Sequence, residues 1–103
     1  MLVYKQMAFT HNIGKLIEQA YKLGYGLTFG DASRMDNQGH KPNSFHYRRL
    51  AVDLNLFVND QYQPSYCPEW QELGDYWKSL DPNCTWGGDF KNKDYNHFSY
   101  GEK

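Results

Sequence analysis

Leu50-Ala51-Val52-Asp53-Leu54-Asn55-Leu56-Phe57-Val58 sets Leu50, Val52, Leu54 and Leu56 on one face and Ala51, Asp53 and Asn55 on the other. Side chains alternate along a β-strand, so residues 50–58 form a strand that lays its leucines on a core. Asp53 is out of place in it. A carboxylate in mid-strand, flanked by Val52 and Leu54, costs free energy unless it is paired, hydrogen-bonded or bound to a metal.

Upstream of this strand lies a polar stretch, 33–44, containing Asp36, Asn37, Gln38, Gly39, Lys41, Pro42 and Asn43, the residue types of turns. A polar loop of this length inside a small domain is characteristically a binding loop. Residues 26–32 read as a short strand. Before them Ile13, Leu16, Ile17, Ala20 and Leu23 recur at helical spacing, so 9–23 is an amphipathic helix with Thr10 as its cap and Gly24 as its stop. His11, in its first turn, is most simply solvated.

Downstream, 61–68 reads as a loop. Pro68 suits the first position of a second helix, and Glu69 and Glu72 suit its positive end. Trp70, Leu73, Trp77 and Leu80 fall on one face of that helix, which ends before Pro82. Trp86-Gly87-Gly88-Asp89-Phe90 is a turn, and a last short strand lies around His97 to Tyr100. The expected class is α+β: two main helices on a small, mostly antiparallel sheet, in a single domain over 1–103.

Composition narrows the function. The chain has 103 residues, 17% of them aromatic and 22% charged, with a net charge of −1. Its basic residues are scattered, which leaves no electrostatic footprint for nucleic acid or an anionic membrane. No apolar stretch approaches a membrane span or a secretory signal, so a cytoplasmic protein without a signal peptide is expected. Nine tyrosines and three tryptophans exceed what so small a core needs, and some are expected to line a groove. Cys67 and Cys84 lack the paired spacing of a zinc knuckle and are read as reduced thiols; a disulfide between them is possible but not demanded. A monomer is the simplest expectation.

His46 precedes Asp53 and can fold onto its face of the strand, and His97 lies in the last strand. Two imidazoles and a carboxylate make a usual ligand set for catalytic zinc, with the fourth position left to water. On spacing alone, a structural histidine–aspartate hydrogen bond explains the same residues.

The run Ser44-Phe45-His46-Tyr47-Arg48-Arg49-Leu50-Ala51-Val52-Asp53 resembles the first metal motif of the zinc D-alanyl-D-alanine carboxypeptidase and L-alanyl-D-glutamate peptidase family. Asp94-Tyr95-Asn96-His97 resembles the second. Trp86 to Phe90 is similar to the family's glycine-rich turn, and Gly30 to Arg34 to the segment that carries its active-site arginine. The aspartate at 94, where the carboxypeptidases have glutamate, is most similar to the phage endolysin branch. A departure is Arg49, where the family often has glycine. If that glycine serves a positive backbone angle, Arg49 strains the loop; if it only eases packing, Arg49 points outwards.

The resemblance implies the Hedgehog/DD-peptidase fold, with Zn2+ on His46, Asp53 and His97, Asp94 as general base and acid, and Arg34 as the substrate-polarising cation. Ser44 and Trp86 are candidate substrate contacts, although Trp86 also reads as core. The substrate implied is the peptidoglycan stem peptide, cut at L-alanyl-D-glutamate by an enzyme made in an infected or lysogenic cell and released to the wall. The alternatives are a D-alanyl-D-alanine carboxypeptidase, or a silent zinc-binding relative that acts as a binding module.

Overall fold

A computed structural model describes residues 1–30 and 48–102 of the chain. The first helix, α1, spans Leu2–Lys22. The strands β1 (Gly26–Phe29), β2 (Ala51–Val58) and β3 (Gln61–Tyr62) follow. Then come helix α2 (Pro68–Leu80), β4 (Cys84–Trp86), a 3-10 turn (Gly87–Asp89) and β5 (His97–Tyr100). Among the described residues all strand pairs are antiparallel, in the order β1-β2-β5-β4, with β3 also beside β2. The architecture is the α+β class expected.

Strand β2 organises the sheet. Leu50, Val52, Leu54 and Leu56 are all buried, as their alternation requires. One edge of β2 pairs with β1 from Leu54 to Phe57; the other is shared, Ala51 to Asp53 with β5 and Phe57 to Val58 with β3. Asn59 and Asp60 join β2 to β3 at φ of 51° and 64°, the left-handed pair of a tight hairpin that these short polar residues tolerate.

The helices close the core. Phe9, Ile13, Leu16 and Ala20 of α1 and Trp70, Leu73 and Trp77 of α2 are buried together with Phe98 of β5. Phe9 and Phe98 both meet Trp77 edge-to-face, at centroid distances of 5.9 and 6.0 Å. Pro68 stands at the start of α2, and Gly24, at φ +85°, stands just past the end of α1.

Three expectations need correction. Helix α1 begins at Leu2 rather than Phe9, and Thr10 is no cap: its hydroxyl donates to the Gln6 carbonyl one turn back, at 2.9 Å. Leu2, Val3, Tyr4 and Met7 are exposed, so the first two turns carry no burial pattern that would mark them. The 61–68 segment is not all loop, since it opens with β3. The three tryptophans belong to the core, each no more than 2% exposed. Their indole N–H groups donate to the carbonyls of Gln63, Thr85 and Tyr95, tying a loop, a strand and a turn to the interior.

Candidate metal centre

Asp53 and His97 are register partners across the β2–β5 ladder, and so stand side by side on one face of the sheet. That face is opposite the one buried by Val52, Leu54 and Phe98. His97 is 6% exposed and the Asp53 side chain 17%. The pairing explains why a carboxylate is tolerated in mid-strand.

Asp94 is brought to the pair by the turn that precedes β5. Its N–H donates to the Gly87 carbonyl at 2.9 Å, and its own carbonyl accepts from His97 N–H at 3.2 Å. The Trp86 indole fixes the Tyr95 carbonyl at 2.7 Å. Gly87 has to be glycine for the segment to come this close: a Cβ there would lie 2.2 Å from the Asp94 carbonyl oxygen and 2.9 Å from His97 Cβ. Ligand atoms of Asp53, Asp94 and His97 all lie within 4.8 Å of one another.

The donor set fits a metal ion. A tetrahedral metal about 2.0–2.2 Å from a nitrogen and an oxygen holds those donors about 3.3–3.5 Å apart. His97 Nδ1 and Asp53 Oδ1 are 3.4 Å apart, long for a hydrogen bond and right for that edge. On the other side of the ring, His97 Nε2 lies 2.6 Å from Glu102 Oε1. Burial pulls the His97 pKa down, but the Asp53 and Glu102 carboxylates beside the ring outweigh it, and the net shift is upward. Glu102 was missed by sequence reasoning. It stands outside both motifs, and its approach to His97 depends on a backbone turn that spacing does not reveal.

Of the expected site residues, the structure gathers Asp53, Asp94 and His97. Arg34, Ser44 and His46, with the decoy His40, lie outside the described residues. Gly30, which leads into the segment carrying Arg34, donates its N–H to the Asp53 carbonyl at 2.7 Å. Trp86, a candidate substrate contact that also reads as core, is 1% exposed and packed in the core. Arg49 has φ +58°, so the position where the family often has glycine does take a positive backbone angle. Cys67 and Cys84 are both free. Burial pushes the Cys84 thiol up to about 12, far from a nucleophile's range.

Beside Asp94, where the edge of β2 passes from β5 to β3, a cleft of about 350 Å³ opens between Asn55, Tyr62, Gln63, Lys93, Asp94 and Tyr95. The aromatics that line it are Tyr62, Tyr95 and the otherwise buried Trp70. No helix among the described residues is long and apolar enough to cross a membrane.

A family model described as D-alanyl-D-alanine carboxypeptidase matches residues 38–100. No curated protein matches the chain. Since the matched residues make up more than half of the sequence and include the cluster that could hold a metal ion, the chain belongs to the D-alanyl-D-alanine carboxypeptidase family, metallopeptidases that act on peptidoglycan.

Proposed function

We propose that this protein is a zinc-dependent endopeptidase that cuts the L-alanyl-D-glutamate bond of peptidoglycan stem peptides, and that 1–103 forms its catalytic domain. The observation that carries the reading is the convergence of Asp53, Asp94 and His97 within 4.8 Å beside an open cleft. His46, Asp53 and His97 are the zinc ligands in this reading. A bound zinc ion would acidify a water molecule and polarise the scissile carbonyl. Asp94, exposed at the mouth of the cleft, takes the proton of the attacking water and returns it to the leaving amine. Arg34 offsets the charge that develops on the carbonyl oxygen, a task for a permanent cation with several donors. Ser44 orients the loop or His46.

The aspartate at 94 supports the endopeptidase, through the likeness to phage endolysins made in the producing cell and released to act on the wall. The family's description favours a second reading, removal of the terminal D-alanine. Digestion of purified peptidoglycan, with chelator and zinc add-back, separates them. A chelator-sensitive D-glutamate amino terminus, read by mass spectrometry, is the expected product; released D-alanine moves the chain to the carboxypeptidase reading. Zinc bound at about one per chain with no bond cut would make it a silent binding module.

A further inference from the structure

His97 is held on both sides of its ring. Nδ1 faces Asp53 Oδ1 at 3.4 Å, and Nε2 lies 2.6 Å from Glu102 Oε1. The two distances describe different relationships. The shorter is a charge-assisted hydrogen bond; the longer exceeds the usual N–H···O range. An ionised carboxylate can only accept, so the Glu102 contact puts a proton on Nε2. In the neutral ring that a metal requires, Nδ1 then carries the lone pair, on the side where Asp53 and Asp94 stand.

Glu102 reaches this position by construction. The chain reverses at Gly101, whose φ of +88° is open to glycine and poorly open to other residues. The Gly101 N–H donates to the Asn83 carbonyl at 2.7 Å, and the Thr85 hydroxyl donates to the Glu102 carbonyl at 2.5 Å. The Glu102 side chain is 27% exposed, sheltered enough for its bond to be more than a surface pairing. Glu102 also lies beyond the 38–100 stretch that the family match covers.

We propose that Glu102 is a positioning residue of the metal centre. Its carboxylate selects the Nε2–H tautomer of His97, blocks rotation of the ring, and raises the donor strength of Nδ1 towards the metal. The inference rests on the reading of Asp53 and His97 as zinc ligands. Carboxylates placed behind ligating imidazoles set metal affinity about 10–100-fold, without touching the ion.

The test is zinc affinity, by competition with a chromophoric chelator, for the wild type, E102A, E102Q and H97A. Nitrogen-15 spectra of the histidine rings and melting of the metal-free proteins accompany it. E102A is expected to bind zinc about 10–100-fold more weakly and to move the His97 ring signals away from the Nε2–H pattern. E102Q keeps an acceptor for Nε2–H without the charge, and is expected to recover part of that loss. It carries the same test if E102A does not fold. Wild-type affinity in both variants, with none in H97A, would overturn the positioning role and leave the zinc reading standing. So would a fall in melting temperature with unmoved ring signals. A wild type that takes up no zinc, or an H97A protein that binds it equally well, would remove the zinc reading and this inference with it.

Discussion

Asp94 and His97 sit on one turn of backbone, three positions apart, and substitution separates their roles. In the proposed mechanism Asp94→Asn removes a base without removing a ligand, so hydrolysis should fall about 10²–10⁴-fold while zinc content stays at the wild-type level. His97→Ala should lose both. Turnover assays paired with metal analysis check this, and turnover retained in Asp94→Asn would exclude Asp94 from the mechanism. Arg49 carries a separate prediction. A side chain at φ +58° is strained by about 1 kcal/mol, so Arg49→Gly should raise stability by about that amount in denaturant unfolding. At this scale the sequence was legible wherever a residue broke its local rule. Asp53 stood out because a strand interior disfavours charge, and Arg49 because glycine was expected there. Glu102 broke no rule: an acid near Gly101 and Lys103 is unremarkable until the chain folds back on His97.

The elements explain two further effects. Gly74 lies in the middle of α2, where helix propensity alone predicts that alanine would stabilise by about 1 kcal/mol. The tertiary contact reverses the sign. A Cβ at 74 would lie 2.2 Å from the Trp86 ring, which is buried and tied to the Tyr95 carbonyl, so the ring cannot step aside. Gly74→Ala should therefore destabilise by about 1–3 kcal/mol in chemical denaturation. Tyr25, at the entry to β1, is linked to α2 through its hydroxyl, which donates to Glu72 at 2.5 Å. That bond, aided by burial, raises the tyrosine from 10.0 to about 12. The folded state thus holds the phenolic proton more tightly than the unfolded state. The contribution is complete below about pH 10 and is lost between about 10 and 12. Tyr25→Phe should flatten the loss of stability over that window in unfolding titrations. Both main helices and the strands at 51–58 and 97–100 were legible, because their buried faces repeat with the right period. The first two turns of α1 were not, since their apolar residues face outwards, and three-residue β4 is too short to alternate visibly.

At the scale of the whole molecule, the cluster joins the two central strands of the sheet. A zinc ion held between β2 and β5, as proposed, would bind the folded state and have no preformed site in the unfolded chain, so it should stabilise by mass action. With zinc at about a hundred times its dissociation constant the gain is about 2.7 kcal/mol, which for about 100 residues is about 10–20 °C in melting temperature. Calorimetry with and without chelator should show that difference in the wild type and none in His97→Ala. The Asp53–His97 register carries a consequence in time rather than in energy. Strand β2 leaves the ribosome well before β5, and until the two have paired there is nowhere for the ion to lodge. On the proposed reading a nascent or half-folded chain is therefore inert, and a peptidase that acts on the wall is armed only by the closing of its own sheet.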